Sequence, residues 1–222
     1  MKRSAIVLAG GHSNRFGQDK GLLELSGQPL VDHVLDGVST VVDEVLLIVS
    51  SESQEKAYAH LKPRARVVVD KYKVQSPLVG ALTGFENVHG EHSLLLPCDT
   101  PFISTRIATL LLELCVGKDA VIPRWPNTYT EPLQAAYCTE SALNATHKAL
   151  QDKRMSVHSV ISYLEKVRYI STSALKQMDP QLTTFFNVNS PEDLRKAEGM
   201  LRHARNSVNS QKGDMPTPAR DN

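Results

Sequence analysis

A glycine-rich stretch with two cationic side chains follows the first apolar run of the chain, Ala5–Ala9. Gly10 and Gly11 come first, and Arg15 and Lys20 follow. Backbone N–H groups of consecutive glycines can approach an anionic ligand closely, because no Cβ atom intervenes. Arg15 would add a fork of donors for phosphate oxygens, and Lys20 a mobile point charge. The stretch therefore predicts a phosphate-binding loop, although a lone Gly-Gly pair is more typical of a plain turn.

A second group of polar residues follows the apolar run Leu94–Leu96, where the sequence reads PCDTP from Pro97 to Pro101. In open α/β sheets, ligands collect beyond the carboxyl ends of the strands. A carboxylate there suits Mg²⁺, which proteins usually hold with one or two carboxylates and the phosphates of a substrate. Asp99 could instead cap a helix or form a turn. Cys98 has no His or Lys close in sequence that would activate it, which favours a small buried residue over a nucleophile.

Asparagines and basic residues in the second half of the chain form further candidates. Asn187 and Asn189 precede a helix start, and could bind an acceptor or metal-bound water, or only order their loop. Lys153 and Arg154 could meet an acceptor phosphate, or only form the exposed basic end of a helix. The residues alone leave both pairs of alternatives open.

The segment from Leu8 to Leu25, LAGGHSNRFGQDKGLLEL, resembles the signature of the molybdenum cofactor guanylyltransferases, within the Rossmann-like nucleotidyltransferases. PCDTP is similar to the metal motif of that family. The stretches Glu131–Tyr137, Lys153–Arg154 and Asn187–Leu194 also resemble it, so that the similarity covers the chain from Ser4 to about Leu201. The sequence differs from the family pattern at two places. Ser76 stands where the family has glycine, and Ser50–Ser51 follow the second strand, where the family often has Asn.

The resemblance implies a nucleotide-binding loop at Leu8–Gly10, contact of Lys20 with the phosphates, Mg²⁺ on Asp99, and an acidic residue, Asp70, near the nucleotide. It implies a GTP-binding set of Leu8, Ala9, Gly10, Gly11, Lys20, Asp70 and Asp99. Arg15, Lys20 and Asp99 are the expected catalytic residues, and Asn187 and Asn189 the expected acceptor-binding residues.

The implied reaction transfers GMP from GTP to the terminal phosphate of molybdopterin, releases pyrophosphate and depends on Mg²⁺. The attacking phosphate is already an anion, because the second pKa of a phosphate monoester is about 6, so no general base is needed. The main barrier is charge repulsion, which positioning and neutralisation must overcome. Two alternatives remain: a related transferase that uses CTP or another phosphorylated acceptor, and a non-catalytic nucleotide-binding module.

Short apolar runs that alternate with helical patterns must position these residues. Ala5–Ala9, Val45–Val49, Val67–Val69, Leu94–Leu96 and Ala120–Ile122 are typical of strands buried on both faces. Helical spacing lies between them: Leu30, Val34, Leu35 and Val38 share one face, as do Ile107, Leu110, Leu111 and Leu114. The alternation predicts an α/β fold with a Rossmann-like, doubly wound, mostly parallel sheet, the nucleotidyltransferase fold.

The end of the chain changes in character after a well-marked helix start. Ser190 can cap, Pro191 suits the first helical position, and Glu192 and Asp193 favour the positive end of the helix dipole. From Asn206 onward the sequence holds almost no large apolar residue. We therefore expect one nucleotidyltransferase domain over 1–203 and a disordered tail over 204–222.

The composition excludes several classes of protein. The net charge of +1 argues against general nucleic-acid binding. Three cysteines without CxxC spacing argue against a disulfide framework or a zinc site, and eight histidines show no zinc spacing. The run Ala5–Ala9 is too short for a signal-peptide core, and no run could span a bilayer. We expect a cytoplasmic protein whose partners are GTP, the molybdopterin cofactor and molybdoenzymes or other cofactor-biosynthesis proteins, without nucleic acid or membrane.

Overall fold

The computed structural model describes residues 1–10, 12, 13, 18–72, 74 and 76–213. The strands are β1 (Arg3–Leu8), β2 (His12–Ser13), β3 (Gln18–Asp19), β4 (Glu24–Leu25), β5 (Gln28–Pro29), β6 (Glu44–Val49), β7 (Arg66–Val69), β8 (His92–Pro97), β9 (Ala120–Arg124), β10 (Ala135–Cys138) and β11 (Val167–Ser171). The α-helices are α1 (Leu30–Val38), α2 (Glu52–Ala57), α3 (Pro77–Asn87), α4 (Thr105–Leu114), α5 (Thr139–Gln151), α6 (Val157–Val160), α7 (Thr172–Leu175) and α8 (Pro191–Gly213). Short 3-10 helices cover Lys20–Leu22, Ala59–Leu61, Ile161–Tyr163 and Thr183–Phe185.

The main sheet of the described residues has seven strands in the order β11-β9-β10-β8-β1-β6-β7. β1 lies at its centre and pairs in parallel with β6 on one side and β8 on the other. The antiparallel strand is β10, which lies between β8 and β9. Two small antiparallel ribbons, β2-β3 and β4-β5, stand apart from it. The predicted mostly parallel, doubly wound sheet is confirmed.

The two faces of the sheet are both covered, which explains why its strands read as continuous apolar runs. In β1, Ala5 and Val7 pack with residues of α1 and α4, while Ile6 packs on the opposite face with residues of α3 and α5. Successive side chains of a strand point to opposite faces, so a strand in the middle of such a sheet has no solvent-facing position. All the predicted strand runs therefore lie in the sheet.

Helix α8, from the C-terminal part of the chain, packs on the β4-β5 ribbon, from the N-terminal part. Leu23, Leu25 and Leu30 form a small buried cluster with Val188 and Ala197. This cluster matters for the site, because it fixes the segment after Lys20 against the loop before α8.

The start of α8 follows the prediction in detail. Ser190 Oγ accepts a hydrogen bond from Asp193 N at 3.2 Å and donates one to Asp193 Oδ2 at 2.8 Å. The helical backbone continues to Gly213, past the expected domain end near residue 203. Residues 214–222 lie outside the described residues, so the disordered tail stays a prediction. Every helix within the described ranges is too short or too polar to span a bilayer.

Candidate functional site

The carboxyl ends of β1 and β8 lie side by side and form the floor of a cleft. Leu8 is opposite Pro97 in the register, and Cys98 N donates to Leu8 O at 3.1 Å. The chain leaves β1 through Ala9 and Gly10, and leaves β8 through Cys98 and Asp99. Parallel pairing of neighbouring strands thus brings together two segments that are far apart in sequence, as the rule for open α/β sheets requires.

A cavity of about 420 Å³ opens above these strand ends. Its lining residues are Leu8, Ala9, Gly10, Lys20, Pro77, Pro97, Cys98, Asp99, Tyr129, Glu131, Leu133, Gln134, Asn187 and Asn189. Most of the site residues named from the sequence are among them. Asp70 is not, and Gly11 and Arg15 lie outside the described residues.

Lys20 forms the polar centre of this cavity. Its Nζ lies 3.1 Å from Asp99 Oδ2 and donates a hydrogen bond to Asn189 Oδ1 at 2.6 Å. Val188 N donates to the backbone oxygen of Asp99 at 2.9 Å, which ties the loop before α8 to the end of β8. Lys20 retains 24% side-chain exposure and Asp99 15%, so both are shielded but still accessible to a ligand. A cation, a carboxylate and an amide from three distant segments therefore meet at one point.

A buried network beneath Lys20 was not foreseen from the sequence. The Asp19 carboxylate accepts hydrogen bonds from Tyr58 OH at 2.6 Å, Gln54 Nε2 at 2.6 Å and Gly21 N at 3.0 Å. The last of these caps the 3-10 helix that carries Lys20. Gln54 Oε1 in turn accepts from Ser50 N and Ser50 Oγ, both at 2.7 Å. Because the network connects the end of β6 to the Lys20 segment, it fixes where the ammonium group stands.

Gly21 makes this arrangement possible. A Cβ atom at Gly21 would lie 2.3 Å from the Tyr58 hydroxyl oxygen, which is too close for any side chain. Tyr58 itself is fully buried. Burial raises the pKa of Tyr58 far above its ordinary value, so the hydroxyl is neutral and can donate to Asp19. The spacing of Gln54 and Tyr58, four residues apart, was the only sequence signal, and it is common in ordinary helices.

The opposite wall of the cavity is built by the connection between β9 and β10. Glu131 Oε1 accepts a hydrogen bond from Trp125 Nε1 at 2.7 Å, and burial raises the pKa of the Glu131 carboxyl. Gln134 is buried and donates from Nε2 to Thr184 O at 3.0 Å. The sequence flagged this stretch only through its resemblance to the family.

Asp70 and Ser76 lie beyond the cavity and have local partners. Asp70 Oδ1 accepts from Thr83 Oγ1 at 2.9 Å and from Tyr72 N at 3.0 Å. Ser76 replaces the glycine expected from the family pattern, and its hydroxyl caps α3 by accepting from Val79 N at 3.2 Å. The added side chain is therefore used to start the helix that packs under Leu8.

The structure also gives the surroundings of three other residues considered from the sequence: Cys98, Lys153 and Arg154. Cys98 is buried, and burial raises the pKa of its thiol well above the usual value, which agrees with the expectation of an unreactive thiol. Lys153 and Arg154 follow α5 and are exposed, and neither lines the cavity. The guanidinium of Arg154 lies 5.7 Å from the ring centre of Tyr163.

Asp99 fits the metal that the family resemblance implies. No group of three or more His, Cys, Asp or Glu side chains able to hold a metal lies within the described ranges. Mg²⁺ does not need such a group, because substrate phosphates and water commonly complete its octahedral shell. Asp99 Oδ1 accepts no hydrogen bond from the described residues, and amide side chains of Asn187 and Asn189 line the same cavity. These hard oxygen donors suit the ion.

Comparison with known proteins assigns the family. Residues 5–167 match the model of the MobA-like NTP transferase domain. A probable molybdenum cofactor guanylyltransferase from Methanosarcina mazei is 36% identical, and the alignment covers 93% of each chain. The molybdenum cofactor guanylyltransferase of Desulfosudis oleivorans is 32% identical over 91% of this chain and 97% of its own.

A solved structure shares the fold. Molybdopterin-guanine dinucleotide biosynthesis protein A from Archaeoglobus fulgidus superposes with a TM-score of 0.77 and 26% identity, covering 90% of this chain and 99% of that one. The chain therefore belongs to the family of MobA-like NTP transferases.

Proposed function

We propose that this protein transfers GMP from GTP to the terminal phosphate of molybdopterin and releases pyrophosphate. The observation that carries the proposal is the meeting of Lys20, Asp99 and Asn189 in a cavity at the carboxyl ends of β1 and β8. The identity of the transferred guanylyl group and of the acceptor is inferred from the relatives, which are named molybdenum cofactor guanylyltransferases. An oxygen of the acceptor phosphate forms a bond to the α-phosphorus of GTP, and the bond between that phosphorus and the bridging oxygen to the β-phosphate breaks.

Lys20 has the central part in this proposal. An anionic acceptor must approach a polyanionic triphosphate, so the barrier is mainly electrostatic. The ammonium group of Lys20 lies beside Asp99, just after the end of β8, and would neutralise phosphate charge as the acceptor approaches. Because Asn189 and Asp99 both hold it, Lys20 is positioned before the substrates bind, which avoids an ordering cost during the reaction.

Asp99 and the two asparagines would complete the phosphate region. Asp99 would hold Mg²⁺, which would withdraw charge from phosphate oxygens and align them. Asn187 and Asn189 would contact the acceptor from the loop before α8. Gly11 and Arg15 are proposed as further phosphate ligands, and Leu8–Gly10 as the part of the cavity wall that contacts the nucleotide. Asp70, at the carboxyl end of β7, is proposed as a more distant nucleotide ligand.

We place the reaction in the cytoplasm, with molybdoenzymes or other cofactor-biosynthesis proteins as partners that receive the product. The cysteines of the described residues, Cys98, Cys115 and Cys138, are all free thiols. Free thiols persist in a reducing compartment, which supports this location.

Substitution of Lys20 and Asp99 tests the proposal. Lys20→Ala and Asp99→Ala should each lower kcat for guanylyl transfer about 100- to 1,000-fold, the usual loss when one preorganised electrostatic group is removed. Lys148→Ala, which removes an exposed cation from α5 on the far side of the sheet, is the matched control and should keep full activity. Near-normal turnover of a folded Lys20→Ala or Asp99→Ala protein would contradict the assigned roles.

A further inference from the structure

A second compartment of about 300 Å³ adjoins the cavity that holds Lys20. The two share Pro77, Tyr129, Glu131 and Leu133 in their linings, so they are parts of one cleft. Lys20 and Asp99 line only the first compartment. The second continues toward the loop 155–158, which precedes and starts α6. A ligand with its phosphate at Lys20 could therefore extend its other end into the second compartment.

The wall that the β9-β10 connection gives to this cleft presents hydrogen-bond acceptors: Glu131 lines both compartments, and Gln134 lines the first. Gln134 is 3% exposed, and its Nε2 donates to Thr184 O, so Oε1 is buried and has no hydrogen-bond partner among the described residues. Glu131 Oε1 accepts from Trp125, while its Oε2 accepts nothing from the described residues. A buried acceptor is costly unless a donor reaches it. This wall is thus suited to a ligand edge that carries N–H or O–H groups.

An aromatic pair stands at the rim next to these acceptors. The rings of Tyr129 and His158 lie 5.4 Å apart between centres, and His158 Nε2 donates to Thr130 O at 3.1 Å. Tyr129 is 53% exposed although it is a large, partly apolar side chain. The turn that carries it is held by hydrogen bonds from Trp125 N to Tyr129 O and from Thr128 N to Trp125 O. An exposed ring on a fixed turn offers a stacking surface to a planar group.

We infer that Glu131 and Gln134 recognise the N–H edge of a planar heterocycle at the end of the acceptor opposite to its phosphate, with Tyr129 against the face of the ring. The inference rests on the proposed function, because that function supplies a phosphorylated acceptor. The fitting chemistry is a 2-amino-4-oxopyrimidine edge, in which a ring N–H and an amino group point the same way. Both pterin and guanine carry this edge.

The geometry favours the pterin of the acceptor over the guanine of the nucleotide. The nucleotide is proposed to lie along Leu8–Gly10, on the β1 side of the cleft, whereas Glu131 and Gln134 belong to the β9-β10 connection on the other side. The two substrates must meet phosphate to phosphate at Lys20. Their ring ends therefore point away from each other, and the acceptor ring falls on the Glu131 side.

A binding experiment with one intrinsic reporter tests this inference. Trp125 is the only tryptophan of the chain, and its Nε1 donates a hydrogen bond to Glu131 Oε1. We would titrate the full chain with 6-hydroxymethylpterin monophosphate and, separately, with GTP, following Trp125 fluorescence and measuring affinity by calorimetry. The pterin should bind saturably and change the fluorescence. Glu131→Gln should weaken pterin binding about tenfold, and Tyr129→Ala about fivefold, with GTP affinity unchanged.

Controls separate the possible outcomes. Glu140→Gln, an exposed carboxylate on α5, should leave pterin affinity unchanged. No saturable pterin binding, or equal pterin affinity in wild type and both variants, would overturn the inference. Loss of GTP affinity in Glu131→Gln would also overturn it, because the wall would then recognise guanine. Guanylyl transfer by a Glu131→Gln protein with normal KM for the acceptor refutes this subsite alone, whereas pterin binding without any transfer by the wild type refutes the proposed function alone.

Discussion

Tyr58→Phe is the sharpest test of how the fold positions Lys20. The substitution removes one hydroxyl oxygen, and with it the 2.6 Å hydrogen bond to Asp19. A hydrogen bond to a charged partner contributes about 1.5–3 kcal/mol. Asp19 keeps its bonds from Gln54 and Gly21, so its charge is not left without donors, and we expect a loss of about 2 kcal/mol in the free energy of unfolding. For a chain of this size, that lowers Tm by about 4–8 °C.

The activity of the same variant reports on positioning. Asp19 directly precedes Lys20 and caps its 3-10 helix, so a looser Asp19 displaces the ammonium group from Asp99 and Asn189. We expect kcat/KM for guanylyl transfer to fall about tenfold, because small misplacements of catalytic groups are costly. Thermal unfolding and steady-state kinetics on the same preparation measure both effects.

A matched substitution and a clear contrary result accompany this test. Tyr163 OH also donates to a carboxylate, that of Asp152, but on the exposed surface, so Tyr163→Phe should change neither Tm nor activity measurably. A Tyr58→Phe protein with a lower Tm but full kcat/KM would show that Tyr58 only stabilises the fold. An unchanged Tm would refute the network itself.

Three further predictions follow from single contacts. Asn189→Ala removes one of the two groups that hold Lys20 Nζ, and should lower kcat/KM at least about tenfold in steady-state assays; a value within about twofold of wild type would speak against that tether. Ser76→Ala should lower the free energy of unfolding by about 1 kcal/mol in urea, because the cap of α3 is lost, whereas Ser76→Gly should cost only a few tenths; equal losses would rule out capping. Backbone hydrogen bonding from Lys166, with smaller contributions from Ser141 and Glu165, lowers the pKa of Asp119. Its stabilisation is therefore complete above the unfolded-state pKa, about 3.9, and is lost as pH falls through the lower native pKa. Asp119→Asn should reduce stability at pH 7 and progressively less in acid; a deficit that does not depend on pH would contradict this.

The sheet could be predicted from the sequence because its strands carry their own signal. Runs such as Val45–Val49 are apolar on both faces, which is typical of strands in a parallel sheet that helices cover on both sides. β10, Ala135–Cys138, was missed because its small residues lack the Val and Ile content of the other strands. β11, Val167–Ser171, is an edge strand with exposed side chains and shows no continuous apolar run.

The site could be predicted from the sequence only where the residue types indicate a chemical role. Gly10, Lys20 and Asp99 could be grouped because glycines, a cation and a carboxylate after strand ends suit phosphate and metal. Their contact depends on the register of β1 with β8, over a separation of 79 residues between Lys20 and Asp99. No local pattern encodes that register.

The supporting residues escaped sequence reasoning for a different reason. Gln54 and Tyr58 act through Asp19, and Gln134 matters because its Oε1 has no partner within the part of the chain that the structure describes. A hydrogen bond made or missing in the interior depends on where distant backbone segments pass. Such residues look like ordinary helix or strand positions until the fold is known.

The most direct measurement follows the α-phosphate of the nucleotide. Wild-type protein would receive molybdopterin, Mg²⁺ and GTP labelled at the α-phosphate, in parallel with equally labelled CTP and ATP. We predict that the GTP label enters the acceptor with one pyrophosphate released per transfer, and that CTP and ATP react at least about tenfold more slowly. Equal use of CTP, or consumption of GTP without any label in the acceptor, would contradict guanylyl transfer at this cavity.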